Sequence, residues 1–162
     1  MIFLIERCYP YVLGILGGLV VFILEYNLSD VKNLAFILEA TITFSSIIIA
    51  FLSTMVSIFI SLINSEVMKR IKSKDGDGLL TSYIAETVLS GLLLVFLSII
   101  LFMFINYSGK YSNLLLSFYV LLLVFLFSSS FRILKLTSNI LKNALNEKEL
   151  KKKIDKPKVN LP

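Results

Sequence analysis

The chain has 162 residues, 57% of them apolar and only 17% charged, and its mean hydropathy is +0.86. A soluble domain has about 45–50% apolar and about 25% charged residues, and a chain this short leaves much of its surface in water. The composition therefore excludes an ordinary water-soluble domain and predicts an all-α integral membrane protein. The formal net charge of +5 does not indicate nucleic-acid binding, because the basic residues cluster beside apolar segments, where they attract anionic lipid headgroups.

Four segments are long and apolar enough to cross a bilayer, since a hydrocarbon core of about 30 Å needs roughly 20 apolar residues in a helix. They cover about residues 9–26, 34–63, 79–105 and 114–134. Short polar connections follow the first and third segments, and a Lys-Asp-Gly-Asp-Gly turn precedes the third. Short connections place consecutive helices side by side, so the sequence predicts a four-helix antiparallel bundle.

The first segment contains three glycines at helical spacing. Gly14 and Gly18, with Gly17 between them, form a small-xxx-small pattern that predicts a close helix crossing, within or between subunits. Cys8 precedes this pattern, and we interpret it as a small residue at the membrane interface. We expect the segment to stay in the mature protein, because no small-x-small cleavage site stands out after Leu24.

The second segment carries a stripe of small and polar residues. Its members follow one another at steps of three or four: Glu39, Thr43, Ser46, Ala50, Ser53, Ser57, Ser61 and Asn64. They fall within an arc of about 80° on a helix, and Glu39 to Ser61 covers about 33 Å, the whole hydrocarbon core. Two interpretations stay open. Small residues allow tight helix packing with hydrogen bonds between helices, or several copies turn this face to a shared axis and line a hydrated path.

Three carboxylates lie in or near the predicted spans: Glu25 at the outer end of the first, Glu39 in the second and Glu86 in the third. A carboxylate inside a membrane is costly and is a functional-site candidate by default. Each also has a structural alternative, which is snorkelling, protonation or a hydrogen bond to a neighbouring hydroxyl. In an oligomer, Glu25 and Glu39 would form acidic rings at the outer mouth and Glu86 a ring near the inner mouth. Acidic rings favour cations.

The fourth segment is almost unbroken Leu and Phe until Ser128, so we expect it at the periphery of the bundle, facing lipid. Apolar residues then recur at helical spacing: Ile133, Leu136, Ile140 and Ala144. We therefore divide the chain into a transmembrane domain, residues 1–136, and a basic helical cytoplasmic tail, residues 137–162, with a disordered end. The tail either docks a cytoplasmic protein, lies on lipid or is a solvated helix end.

Lys and Arg are distributed unequally between the two sides of the predicted bundle. Fourteen of the 16 lie at the N-terminus, in the central loop or in the tail, against Lys32 and Lys110 on the other side. Because cytoplasmic loops carry the excess of positive charge, we predict a cell-membrane protein with both termini in the cytoplasm. Six basic residues are expected to contact lipid headgroups or a partner: Lys69, Arg70, Lys72, Lys151, Lys152 and Lys153.

The side chains of common catalytic sites are scarce, since the sequence has no His and one Cys. We predict no enzyme activity, no cofactor and no metal site. The frequent Lys, Ile and Asn residues are typical of an AT-rich bacterium or its mobile elements. Two functions remain. The first is a homo-oligomeric channel-like or pore-forming subunit of the inner membrane, with the second helix lining a cation-favouring path. The second is a membrane-embedded interaction protein, such as a bacteriocin-immunity protein or the membrane subunit of an antiphage defence system.

Overall fold

A computed structural model describes residues 2–61, 76–105, 109 and 111–154 of the chain. Nearly all of these residues belong to four α-helices: α1 (Ile2–Ile23), α2 (Leu34–Ser61), α3 (Gly76–Met103) and α4 (Ser112–Ile154). A 3₁₀ turn, Leu28–Asp30, lies between α1 and α2. The described residues contain no strand, so the prediction of an all-helical protein is confirmed for them.

Three of the helices are long and apolar enough to cross a membrane. Their apolar segments are Leu34–Ile58 in α2, Leu80–Met103 in α3 and Ser112–Asn139 in α4. The apolar part of α1, Arg7–Ile23, is shorter. The 43 residues of α4 run without a break through the domain boundary predicted after residue 136. At 1.5 Å per residue α4 is about 64 Å long, so it extends well beyond a hydrocarbon core of about 30 Å.

α4 is the helix that contacts all three of the others. It packs against α1 and α3, while α2 packs mainly on α3. The side chains of α2 also reach α4, since the rings of Phe44 and Phe127 stack with their centroids 4.6 Å apart. The expectation that the fourth segment lies at the periphery is therefore wrong. Its composition could not reveal this, because a face of Leu and Phe meets lipid and a neighbouring helix equally well.

Two clusters of buried side chains lie where α2, α3 and α4 meet. The larger is built around Leu38, Leu94 and Leu126, which are at most 1% exposed. The smaller is built around Leu52 and Ile133. From Leu38 to Leu52 the buried face of α2 runs for about four turns. The opposite face of α2 is left outside the bundle.

The glycines of α1 lie against α4. A Cβ added at Gly18 would be 3.0 Å from the carbonyl oxygen of Ser117, and one added at Gly14 would be 3.1 Å from that of Leu121. Neither oxygen can move without moving the backbone of α4. The absence of a side chain at these two positions therefore lets the two helix backbones approach closely, as in other small-residue helix contacts.

Hydrogen bonds mark both ends of the contact between α1 and α4. At one end, the Tyr9 hydroxyl donates to the carbonyl oxygen of Ser128 over 2.9 Å. At the other end, the Asn113 amide donates to the carbonyl oxygen of Phe22 over 3.2 Å. Residues near the start of α1 thus meet the middle of α4, and residues near the end of α1 meet the start of α4.

A hydrogen bond joins the connection between α1 and α2 to the first residue of α4. The backbone N–H of Leu28 donates to the Ser112 hydroxyl over 2.8 Å, and both residues are almost fully buried. Glu25 and Asn33 flank the connection with φ angles of +53° and +59°. Both angles lie in the left-handed region. Within the connection Leu28 is buried, while most of the other side chains are exposed.

Candidate functional site

The stripe predicted on the second helix lies on the outside of the bundle. Its described side chains are all exposed: Glu39, Thr43, Ser46, Ala50, Ser53 and Ser57. We call these six residues the polar face of α2. The side chains that α2 buries are Leu34, Leu38, Thr41, Ser45, Leu52 and Met55. At 3.6 residues per turn, the two sets are centred about 140° apart around the helix. The polar face therefore points away from α3 and α4.

The hydroxyls of the polar face donate to carbonyl oxygens of their own helix. The distance from each hydroxyl oxygen to the carbonyl oxygen four residues earlier is 3.0 Å at Thr43, 2.8 Å at Ser46, 2.9 Å at Ser53 and 3.2 Å at Ser57. A hydroxyl that donates its one proton in this way still accepts through its lone pairs. The polar face thus presents acceptors to water, to a hydrated ion or to another chain. Packing between helices of one chain does not account for it.

Glu39 and Glu25 are both exposed. Glu39 belongs to the polar face, and Glu25 lies in the turn that follows α1. The ion pair found among the described residues joins Arg132 and Glu86. Neither Glu25 nor Glu39 therefore has a described cation within ion-pair distance. The predicted acidic rings at the outer mouth therefore remain compatible with the position of both residues.

Glu86 is paired with Arg132 inside the bundle. The guanidinium Nη2 donates to Glu86 Oε2 over 3.0 Å and to the Ser129 hydroxyl over 3.2 Å. Nη1 donates to the carbonyl oxygen of Arg7 over 3.4 Å, and the guanidinium carbon lies 3.8 Å from the centroid of the Tyr83 ring. Arg132 is only 2% exposed, against 27% for Glu86. This one side chain therefore connects α1, α3 and α4.

Sequence reasoning missed this ion pair because it counted Arg132 with the cytoplasmic charges. A weak signal was present. Tyr83 and Glu86 are three residues apart on α3, as are Ser129 and Arg132 on α4, and this spacing puts each pair on one helix face. The partner of Glu86 is the Arg132 cation, whereas the structural alternatives predicted for this acid were snorkelling, protonation or a hydrogen bond to a hydroxyl. The positive charge of Arg132 therefore balances the negative charge of Glu86 within one chain.

Two buried hydroxyl pairs join α4 to its neighbours. Thr87 on α3 shares a hydrogen bond with Ser129 on α4. Thr41 on α2 lies 2.7 Å from the Tyr119 hydroxyl of α4 and also donates to the carbonyl oxygen of Ile37 over 2.8 Å. Because Thr41 has one proton, Tyr119 is the donor in the shared bond. These two polar contacts between helices therefore lie on buried faces and not on the polar face of α2.

Several predicted site residues fall outside the described part of the chain. They are Asn64, Lys69, Arg70 and Lys72, together with the side chains of Ser61, Lys151, Lys152 and Lys153. Their predicted roles stay predictions. Within the described residues, no group of three or more His, Cys, Asp or Glu is placed to hold a metal ion.

Comparisons with protein-family models, with curated proteins and with solved structures find no match. The fold defines a class, namely a helical protein with three helices that could span a membrane. Within that class, function is inferred from two features of the chain, the exposed polar face of α2 and the buried pair of Arg132 and Glu86.

Proposed function

We propose that the chain is a small polytopic protein of a bacterial inner membrane, with four antiparallel spans and both termini in the cytoplasm. Three long apolar helices support this arrangement. The apolar part of α1, Arg7–Ile23, covers about 26 Å at 1.5 Å per residue, which is close to the thickness of the hydrocarbon core. The order of the contacts between α1 and α4 is that of antiparallel neighbours. The excess of basic residues on one side supports the orientation.

In this membrane the protein acts as a subunit of a homo-oligomeric channel, with the polar face of α2 lining a cation-favouring path. The exposure of that face carries the proposal. A carboxylate costs about 2.5–3.5 kcal/mol at the centre of a membrane helix and less near its ends. Glu39 lies five residues after the start of α2, so the face that it heads is less suited to lipid than an apolar face. Several copies arranged around one axis replace that lipid with water.

The charge on the path would come mainly from Glu39. It is exposed on the polar face, and copies of it around an axis would form an acidic ring that attracts cations and repels anions. Glu86 would add little, because Arg132 neutralises it from 3.0 Å away. A mildly cation-selective path is therefore expected, with Glu39 as the acidic ring on the polar face and Glu25 as a second acid at the outer mouth.

Ion flux through the purified protein in liposomes tests the proposal. We expect the wild type to conduct cations in preference to anions. Glu39→Gln should reduce the preference for cations, because it removes the ring charge. Ser57→Leu should reduce the conductance itself, because it places an apolar side chain on the path. Ala85→Leu is the matched control, since Ala85 is exposed on α3 and lies away from the polar face.

The channel proposal fails if the reconstituted wild type conducts nothing at any voltage. It also fails if Ser57→Leu and Ala85→Leu change the conductance equally, since only one of them lies on the polar face. Oligomeric state in detergent is a quicker measurement. A strict monomer cannot bring several polar faces to one axis.

A second candidate is a membrane-embedded interaction protein that binds a cytoplasmic partner instead of conducting. The length of α4 favours it, because the helix continues for about 22 Å beyond its apolar segment, from Asn139 to Ile154. Anionic lipids and a protein are both suitable ligands for the basic residues Lys151, Lys152 and Lys153. A bacteriocin-immunity protein or the membrane subunit of an antiphage system would act in this way.

Truncation after Asn139 separates the two candidates. A channel lined by α2 should keep its conductance when the end of α4 is removed. An interaction protein should lose a partner that co-purifies with the full chain. Loss of conductance without loss of any partner would contradict both descriptions of the tail.

A further inference from the structure

Three basic residues from distant parts of the chain lie at one end of the contact between α1 and α4. They are Arg7 in α1 and Arg132 and Lys135 in α4. Arg7 is placed here by its backbone, because Arg132 Nη1 donates to the carbonyl oxygen of Arg7 over 3.4 Å. Lys135 follows Arg132 by three residues, a spacing that makes two residues neighbours on a helix surface. We call these three residues the basic cluster.

The two exposed members of the basic cluster lie on the helix faces that meet. Arg7 precedes Gly14 by seven residues, or about two turns, so it shares the face of α1 whose glycines contact α4. Lys135 follows Ser117 by 18 residues, or about five turns, and the carbonyl oxygen of Ser117 lies against Gly18. Arg7 and Lys135 therefore belong to the facing sides of α1 and α4.

The basic cluster has an excess of positive charge. Arg132 is balanced by Glu86 at 3.0 Å. Arg7 and Lys135 are both exposed, and neither has an ion-pair partner among the described residues. Glu6 precedes Arg7 in the sequence, and its side chain lies outside the described part of the chain. Even with Glu6 counted beside Glu86, the three cations outnumber the two acids, so the cluster is suited to an anion.

The basic cluster lies at the boundary of the apolar segments. The apolar part of α1 begins at Arg7. Leu136, which follows Lys135, packs against the buried cluster that contains Leu80, and Leu80 is the residue at which the apolar segment of α3 begins. In a membrane this level is the boundary between the hydrocarbon core and the polar headgroups. The anions available there are the phosphates of lipids.

Exposed apolar side chains continue from the basic cluster along both helices. On α4, Phe131 and Leu134 are 67% and 49% exposed, and on α1 Tyr11 and Ile15 are 44% and 50% exposed. Acyl chains attached to a phosphate at the cluster can lie along this surface and bury apolar area. A free phosphate ion gains nothing from it. The surroundings therefore favour a phospholipid over a soluble anion.

We propose that the basic cluster binds the phosphate of an anionic phospholipid between Arg7 and Lys135. Basic residues beside apolar spans attract such headgroups, and a guanidinium can donate two parallel hydrogen bonds to one phosphate. Arg132 is a positioning residue, because Glu86 balances its charge while its Nη1 contacts the backbone of Arg7. The site requires a chain that spans a membrane, but it does not require conduction. Lipid binding and ion flux can therefore fail independently.

Native mass spectrometry of the full chain in detergent, with phosphatidylglycerol and phosphatidylcholine added, tests the proposal. We expect the wild type to prefer phosphatidylglycerol. Arg7→Gln and Lys135→Gln should each lower that preference about fivefold, the factor that corresponds to roughly 1 kcal/mol per basic residue near a membrane surface. Thermal unfolding of both variants should match the wild type, because both side chains are exposed.

Lys142→Gln is the matched control. Lys142 is exposed on the same helix and follows Lys135 by seven residues, so it lies on the same side of α4 about 10 Å further along. We expect this variant to keep the wild-type lipid preference. Equal reductions by Lys135→Gln and Lys142→Gln would overturn the proposal, because total charge alone would then explain the preference. Displacement of phosphatidylglycerol by an excess of inorganic phosphate would overturn it in favour of a free phosphate as the ligand.

Discussion

Arg132 Nη2 lies 3.0 Å from Glu86 Oε2, and the arginine is buried while the glutamate is one quarter exposed. The two charges belong to α4 and α3, so their contact connects helices that are far apart in sequence. Removing one member of a buried pair is destabilising because the other charge is left without a counter-ion. The pair is therefore expected to matter for the stability of the bundle.

Glu86→Gln should lower the free energy of unfolding by about 1–3 kcal/mol, less than for a fully buried pair because Glu86 is partly exposed. Thermal unfolding in detergent measures this change. Glu39→Gln is the matched control and should alter stability by less than about 0.5 kcal/mol, since Glu39 is exposed. Glu86→Gln combined with Arg132→Met should cost less than the sum of the two single variants, because each single variant already breaks the pair. Full additivity of the two single variants would contradict the ion pair.

Gly18→Ala should destabilise the contact between α1 and α4 by about 1–2 kcal/mol. The new Cβ would lie 3.0 Å from the carbonyl oxygen of Ser117, which is held by the backbone of α4. Gly17→Ala is the control, since its closest neighbour is a side-chain methyl of Val124, which can shift slightly. Because Ala is the better helix former, Gly17→Ala should be neutral or slightly stabilising. The reverse order of the two melting temperatures would exclude the proposed backbone contact.

Thr41→Val and Tyr119→Phe should interact in a double-mutant cycle. Their hydroxyl oxygens are 2.7 Å apart in a buried contact, and hydrogen bonds between membrane helices average about 0.6 kcal/mol with a maximum near 1.7 kcal/mol. We therefore expect a coupling energy of that size from unfolding in detergent. Pairing Thr41→Val with Tyr111→Phe provides a control with no shared bond, because Tyr111 is exposed. A coupling energy of zero for the first pair would rule out the bond.

Ala50→Leu should weaken self-association about tenfold if copies meet at the polar face of α2, because the larger side chain keeps neighbouring helices apart. Mass photometry or light scattering in detergent measures the distribution of oligomers. The same change at Ala85, exposed on α3, should leave the distribution unchanged. An unchanged oligomer with Ala50→Leu would place the contact between copies on another surface.

The sequence alone predicts the helical class well. Apolar runs of about 20 residues have few other structures available, because backbone N–H and C=O groups in an apolar setting must be bonded within the segment. The sequence also predicts which residues form the stripe on α2, since helical periodicity determines which residues share a face. The glycines of α1 could be assigned to a close contact for a similar reason.

The tertiary structure determined which helix faces contact each other and which faces point outward. Periodicity puts Glu39 and Ser57 on one side of α2 but does not say whether that side meets another helix or points outward. It likewise gave α4 a peripheral position, whereas the helix lies between α1 and α3, because Leu and Phe suit both environments. The partner of Glu86 was hidden because Arg132 is 46 residues away in sequence. Local patterns determine helices and their faces, while long-range packing determines which charges meet and which polar surface is left exposed.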